Sequence, residues 1–480
     1  MRLEQPPKDP SYDLVIVGTG FGSLFYLHKV LERAPDTRVL LLEMGDFRTP
    51  ETQRETGLNS QIHYSDAYHS LPDQKRWITN IGFGGGTNCW WGLTPRMQPS
   101  DFRMKTLYGV GQNWPVTYYD LAPYYSEAEE IMQVSGDNDI GIRFPGVNYP
   151  QAPHRLSTPD EILKSANPDH HFCVPSARLR TPIGSRGACC ATARCNLCPV
   201  EAKFSAFNSM LHLVDHPSVD LLTAARVTAI DIRNSIATGV HYEHGDACHL
   251  VGADQVVLGA NALQNPYILM ASGDRHPVLG RYLHEKLAAE IEVMLDGVDA
   301  FDGGQATSGL NFALYDRADR AAYGASAIYV ENNWQSLMFR SEYGRWRQVL
   351  PLLMVTEDIP QAENKVIADR PDKPTVDHAD WSTYAYDGLD AAMKALPEVL
   401  GALPVESIRV LRLKNSNAHV QGTVRMGTDP ETSVVDGDMI HHKVRNLHCV
   451  GTSAWPTCST ANPSLTAAAL SLRAAERAYS

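Results

Sequence analysis

The chain has 480 residues, 43% of them apolar, and a formal net charge of −13. At roughly 100–200 residues per domain the length fits two or three domains, and the apolar content excludes wholesale disorder. The acidic balance, with no block of lysine or arginine, disfavours nucleic-acid binding, which needs clustered positive charge.

The opening residues MRLEQPPKDPSYD contain no apolar h-region and do not read as a secretory signal. No run of about 18 apolar residues is present to span a membrane, so the sequence by itself points to the cytoplasm. The nine cysteines are an odd count in a long chain, and four of them crowd into ten residues. That pattern reads as a metal or redox site in a reducing compartment rather than a disulfide framework.

Residues 13–43 form the most informative stretch. An apolar run at 14–17 meets Gly18-Thr19-Gly20-Phe21-Gly22-Ser23. A helical pattern follows through Leu24, Leu27, Val30 and Leu31, then a second apolar run at 39–42 that ends on Glu43. Strand, glycine turn, helix and strand within about 30 residues are the setting of the dinucleotide fingerprint. Gly18 permits the tight turn, and Gly20 lets backbone approach a pyrophosphate at the helix N-terminus. Ser23 replaces the usual third glycine but is small enough for close helix–strand packing. Glu43 is placed to accept hydrogen bonds from an adenosine ribose and would repel a 2′-phosphate. The fingerprint alone does not separate FAD from NAD.

The second glycine cluster runs Gly82-Phe83-Gly84-Gly85-Gly86-Thr87-Asn88-Cys89-Trp90-Trp91-Gly92-Leu93-Thr94-Pro95-Arg96. Bare backbone suits close approach to a flat ligand, and the tryptophans supply apolar walls. The two clusters together resemble the glucose–methanol–choline (GMC) family of flavoprotein oxidoreductases, in which the second segment wraps the FAD. That resemblance assigns Gly18, Gly20, Ser23, Glu43, Gly85, Thr87, Asn88 and Trp90 to the cofactor. The next segment, Trp114-Pro115 through Tyr124-Tyr125 to Gly136, is similar to bacterial members of the family. It predicts a helix capped by Thr117 and stopped by Gly136. Cys89 stands where some relatives carry a flavin-linked histidine, but a small buried thiol is the simpler reading.

Cys189, Cys190, Cys195 and Cys198 follow the spacing C-C-x4-C-x2-C, with Arg186 and Arg194 nearby. Thiolate ligation of iron–sulfur or zinc, or a structural disulfide, all fit the spacing. The segment resembles that of bacterial FAD-dependent sugar dehydrogenases. There the resemblance implies an iron–sulfur cluster, three-iron in preference to four-iron, on Cys189, Cys190 and Cys195, with Cys198 as a fourth ligand or a bystander. Cys173, Cys248, Cys449 and Cys458 read as core thiols.

Further along, residues 219–222 and 227–232 are strand-like. Residues 253–258 read as an apolar strand, and the GMC resemblance implies that it returns to the nucleotide-binding sheet with Ala260 beside the cofactor. Beyond about residue 286, alternating stretches at 288–295 and 326–330 predict antiparallel strands and 388–400 a helix, while 363–369 resembles a strand that the GMC family places in its substrate domain. Tyr329, Trp334, Phe339, Tyr343 and Trp346 are aromatic candidates for a sugar or sterol site. The C-terminal run from Asn417-Ala418-His419 through Gly422-Thr423, Gly451-Thr452 and Ala461-Asn462-Pro463 resembles the family's last segment. That likeness adds Gly451 and Thr452 to the cofactor set and implies that His419 faces the flavin beside Asn462, with a last helix over 465–478.

The expectation is an α/β GMC-type fold. A Rossmann-like FAD domain comprises residues 11–100, 185–284 and 415–480. A substrate domain with an antiparallel sheet and helices comprises 101–184 and 285–414. The implied activity is oxidation of a sugar or polyol alcohol, with His419 as base, Asn462 as hydrogen-bond donor, hydride passed to flavin N5, and electrons relayed through the cluster to a cytochrome or other acceptor. Relatives of this kind can be exported folded with a small accessory subunit, so the periplasm is the second location in view. The alternatives are an oxygen-using alcohol oxidase with structural cysteines, and a flavin electron-transfer subunit without alcohol chemistry.

Overall fold

The computed structural model describes residues 1–8, 11–71, 75–333 and 344–480. Trp334, Phe339 and Tyr343 lie outside the described residues. Its largest sheet has eight strands. Arg2–Leu3, Val219–Leu222, Val39–Leu42, Ser11–Val17, Ala247–Leu258, Ile236–His244 and Ala225–Arg233 lie side by side in that order, and Leu447–Cys449 also pairs with Ala247–Leu258. The first five, with Leu447–Cys449, run parallel, whereas the hairpin strands Ala225–Arg233 and Ile236–His244 are antiparallel additions. A parallel sheet covered on both faces needs apolar residues at every position, and Leu14–Val17 and Val39–Leu42 are all buried.

Helix Phe21–Arg33 leaves the end of Ser11–Val17 and packs against Pro463–Ala478, which also packs against Tyr118–Met132. The last helix presents Ala467, Ala468, Ala474 and Ala475, all buried, to these neighbours. Lys29, 3% exposed, fastens the three helices by pairing with Glu32 at 2.7 Å, Glu127 at 2.6 Å and Glu476 at 3.5 Å. Thr117 caps Tyr118–Met132 as expected, but the helix ends at Gln133 in the left-handed region, φ 57°. Gly136 lies beyond its end.

The second sheet has six antiparallel strands in the order Val405–Leu413, Leu287–Leu295, Val349–Thr356, Ser326–Glu331, Thr307–Asn311, His171–Cys173. Helix Thr383–Val399 begins five residues ahead of the predicted 388 because Ser382 caps it through Ala385 N. Its Ala385, Leu389, Ala392 and Leu396 share a core with Ile291, Val293, Ile328 and Leu352. The strand predicted at 363–369 shortens to Lys365–Ile367 and belongs to a separate three-stranded sheet with Thr375–Asp377 and His69–Leu71. Among the described residues no helix is long and apolar enough to cross a membrane.

Candidate active site

The parallel strands deliver their C-terminal ends to one cavity of 710 Å³. Ser11–Val17 ends at Gly18, whose φ is +85° and whose missing Cβ would lie 2.8 Å from Gly259 O. Helix Phe21–Arg33 then starts at Gly20 with no side-chain cap, so its first backbone N–H groups are free for an anion. A Cβ on Gly20 would meet nothing within 4 Å, and Gly20 lines the cavity. Ser23, fully buried, backs onto Gly259, where a Cβ would sit 2.0 Å from its Oγ. The third fingerprint position therefore governs packing, as its small size predicts.

Glu43, 5% exposed, accepts from Thr19 N at 3.0 Å, Thr19 Oγ1 at 2.7 Å and Gly45 N at 3.0 Å. A carboxylate has about four acceptor positions, so capacity for a ribose hydroxyl remains. Thr19 Oγ1 in turn accepts from Gly84 N at 3.1 Å, which ties the two glycine clusters together. Sequence reasoning passed over Thr19, although a hydroxyl between the two glycines was the available signal. Gly85 and Trp90 line the cavity. Trp90 stands edge-on to Phe21 at 4.8 Å and donates to Phe204 O at 2.8 Å. Thr87 and Asn88 instead fasten the loop: Thr87 Oγ1 accepts from Ala206 N at 3.0 Å, and Asn88 Nδ2 donates to Phe83 O at 2.7 Å. Ala260, Gly451 and Thr452 also line the cavity. Ala260 is held through its N–H to Asn265 Oδ1 at 2.8 Å, and Thr452 Oγ1 donates to Val420 O at 2.7 Å.

An uncapped helix N-terminus, side-chain-free backbone and an acceptor-bearing acid 24 residues from Thr19 fit a dinucleotide cofactor. The two key glycines separate by mechanism. Gly18→Ala should lower stability, since it forces both a left-handed alanine and a backbone clash. Gly20→Ala should fold but lose FAD affinity, because the methyl fills the cradle. Thermal melts with and without added FAD, together with flavin content after purification, distinguish the two.

His419 and Asn462 meet at this cavity. His419 Nε2 lies 3.3 Å from Asn462 Nδ2, and His419 Nδ1 and Asn462 Oδ1 are buried without partners among the described residues. Burial holds the imidazole well below its ordinary pKa, and Lys286 and Lys414 push in the same direction. Asn462 caps helix Pro463–Ala478 by position, but its side chain makes no capping bond and stays available to His419.

Three buried groups missed in the sequence position this pair. Glu285, fully buried, accepts the backbone N–H of Asn417 at 3.1 Å and of His419 at 3.3 Å. Lys75 pairs with Glu285 and also donates to Asn415 O at 2.7 Å. Lys286 Nζ donates to Thr460 O at 3.1 Å and to Ala461 O, directly ahead of Asn462. Tyr329, 2% exposed, donates to Thr460 O at 3.0 Å, so it braces the Asn462 turn and does not line the cavity. Glu285→Ala leaves Lys75 buried and unpaired and should destabilise the fold by ~3–5 kcal/mol. Denaturant titration of the holoprotein measures it.

The cysteine loop touches the same cavity through Asn196, whose carbonyl accepts from Asn59 Nδ2 at 2.9 Å. Cys195 is buried, Cys189 and Cys198 are half-buried and Cys190 is exposed; all four are free thiols. Ala191 and Ala193 have left-handed φ values of 52° and 56°. Three buried cations surround the loop: Arg178 at 1%, Lys203 at 3% and Arg186 at 5% exposure. Among the described residues none pairs with a carboxylate. Lys203 donates to Asn88 O at 2.6 Å, Arg178 to Gln305 Oε1 at 3.1 Å, and Arg186 to Ala202 O at 3.1 Å. Burial pushes Lys203 down to about 8 and Arg186 to about 10, while Cys195 and Cys198 act on Lys203 in the opposite sense. Cys89 lines the cavity, and burial raises its thiol. Of the other cysteines, Cys173, Cys449 and Cys458 are buried, but Cys248 is exposed because it lies in the outer part of a long hairpin strand.

Fold and site together define an FAD-dependent oxidoreductase that acts on alcohol groups. The chain belongs to the GMC oxidoreductase family, which it matches over residues 68–288 and 361–471. It is 26% identical to the fructose dehydrogenase large subunit of Gluconobacter japonicus, covering 97% of each chain. It is 27% identical to the paromamine 6'-oxidase of Streptomyces fradiae, covering 98% of this chain and 91% of the relative. Its fold is similar to that of pyridoxine 4-oxidase from Mesorbium loti, with a TM-score of 0.69 at 19% identity over 97% of this chain and 99% of the other.

Proposed function

We propose that this chain is an FAD-dependent dehydrogenase of a sugar or polyol. In this reading it oxidises an alcohol to a carbonyl and passes the electrons through a cysteine-bound iron–sulfur cluster to an external acceptor, such as a cytochrome. The observation that carries the proposal is the His419–Asn462 pair at the wall of a cavity that also holds the glycine cradle. Alcohol oxidation removes a hydroxyl proton and a carbon-bound hydride, and bound FAD supplies the hydride acceptor. His419, kept neutral by burial, takes the hydroxyl proton on Nε2. Asn462 Nδ2 donates to the oxygen as negative charge develops there. Glu285 and Lys286 hold the two backbone segments that carry these groups. Relatives whose names specify fructose dehydrogenase and paromamine 6'-oxidase support a carbohydrate substrate.

The three buried cations support thiolate ligation at Cys189, Cys190 and Cys195, with Cys198 alongside. Neutral thiols or disulfides would leave Arg178, Arg186 and Lys203 without counter-charge, and buried charges need partners. No three of these thiols come within 4.8 Å of one another, whereas a single zinc ion with bonds of about 2.3 Å requires that. A cluster spreads its ligands over several irons and does not require that spacing, and the resemblance implies three irons in preference to four. When bound, it supplies one-electron transfer. In this reading residues 11–100, 185–284 and 415–480 hold the cofactor, and 101–184 with 285–414 form the substrate side. A small accessory subunit and co-export to the periplasm belong to the same reading.

Purification without oxygen, assay of iron and flavin, and EPR spectra before and after a panel of sugars and alcohols test it. An iron–sulfur signal that changes as one alcohol bleaches the flavin supports the proposal. Flavin without iron, with stoichiometric hydrogen peroxide, favours the oxidase instead. No bleaching by any alcohol favours the electron-transfer subunit.

A further inference from the structure

Beyond the catalytic pair the cavity runs onto the six-stranded sheet, where Glu290, Glu292, Glu331 and Lys414 line it. Glu290 and Glu292 are tied to Arg412 and Arg409, whose side chains are 64% and 58% exposed. Glu331 is different. It ends strand Ser326–Glu331, and among the described residues its carboxylate takes only neutral donors: Asn333 Nδ2 at 2.7 Å, and Thr307 Oγ1 at 3.3 Å from each oxygen. Among the described residues no lysine or arginine forms an ion pair with it. Asn333 and Thr307 also line the cavity, so the carboxylate is oriented but not neutralised. Burial, with Glu290 adding, pushes its pKa up to about 7 against the pull of Lys414 and Arg178. Glu331, Lys414, His419 and Asn462 all line that cavity, which places the carboxylate and the catalytic pair around one chamber.

Glu331 itself is half-buried and lines the cavity with no ion pair among the described residues, and a carboxylate so placed gains when a ligand brings the opposite charge. A hydroxyl would hydrogen-bond to it, but only a cation offsets its desolvation as well. We propose, on the dehydrogenase reading above, that Glu331 binds a protonated amino group of the substrate. The substrate class is then an amino-substituted sugar or polyol. Glu331 is a specificity-determining residue here, with no part in the proton transfer.

The test uses holoenzyme reduced with dithionite, which binds sugars without turning them over. Calorimetry at neutral pH compares glucosamine and paromamine with glucose, N-acetylglucosamine and gluconate, for the native protein, Glu331→Gln and Glu331→Asp. The amines should bind at least ~10-fold tighter than glucose, in line with a charge-assisted hydrogen bond. Glu331→Gln should remove that advantage and leave the neutral sugars little changed, while Glu331→Asp keeps part of it. Glucose binding as tightly as glucosamine, equal losses for both in Glu331→Gln, or no binding by any probe overturns the assignment. Retained flavin reports that a variant has folded, and if Glu331→Gln loses it, Glu331→Asp carries the comparison. Should the amines bind selectively while no probe bleaches the oxidised flavin, Glu331 keeps its role and alcohol oxidation falls.

Discussion

Alanine in place of His419 should reduce kcat by at least ~10²-fold, while bound FAD and thermal stability stay close to native. The reason lies in how the residue is held. Its backbone N–H is fixed by Glu285, and that bond survives truncation of the ring. The ring contacts Asn462 Nδ2 at 3.3 Å, long for a hydrogen bond, and its Nδ1 has no partner, so little folding energy is lost with it. Anaerobic stopped-flow reduction of the flavin by substrate is the measurement, because it isolates proton and hydride removal from reoxidation. Native reduction rates in the variant would remove His419 from the mechanism.

The pH dependence follows from the same environment. A base works only unprotonated, and burial with Lys286 and Lys414 lowers the pKa of His419. The neutral imidazole therefore persists at pH values well below an ordinary histidine's, and the acid limb of kcat/KM should lie below about 6.5. Removing a neighbouring positive charge shifts that limb upward. Lys414→Met should do so, since Lys414 is one of the two cations acting on His419. This differs from a structural effect, which would lower the whole profile without moving it.

The sequence reveals some parts of this site more readily than others, for a physical reason. The strand–turn–helix–strand unit is legible because its signals are local. Four buried positions in a row at Val39–Leu42, a glycine at φ +85° and a helical stripe all sit within about 30 residues. The helix start at Asn462-Pro463 is legible as a local signal, whereas the pairing of Asn462 with His419 is legible only through the resemblance of the whole C-terminal run to the GMC family. Glu285, Lys75 and Lys286 are not, since their roles depend on chain segments brought together from more than 100 residues away. Arg178 and Lys203 are hidden for a related reason: nothing in the sequence distinguishes a buried arginine from an exposed one. The end of Tyr118–Met132 shows the opposite error. Gly136 is the obvious stop, yet Gln133 accepts the left-handed conformation first, because the chain must turn toward the Ser135–Ser176 bridge.

On the iron–sulfur reading proposed above, serine in place of Cys195 should remove at least ~10-fold of the bound iron and of the turnover with a one-electron acceptor, but should leave flavin reduction by substrate intact. Cys195 is the most buried of the four thiols, 7% exposed, and acts on Lys203, itself 3% exposed. Serine cannot supply a thiolate, and the buried cations then have nothing to balance them. Iron assay, EPR and acceptor turnover on the same preparation separate loss of cluster from loss of fold, since flavin content reports the latter. Lys203→Met gives the converse test. A buried cation beside a cluster stabilises its reduced form, so its removal should move the cluster midpoint potential negative with iron retained. Cys198→Ser decides the ligand count: iron retained at the native level makes Cys198 a bystander and fits a three-iron cluster, and iron lost makes it a fourth ligand. A disulfide role for the loop predicts the reverse of all three. Acceptor turnover would be indifferent to Cys195→Ser, there would be no iron to lose, and Lys203→Met would have no cluster potential to shift.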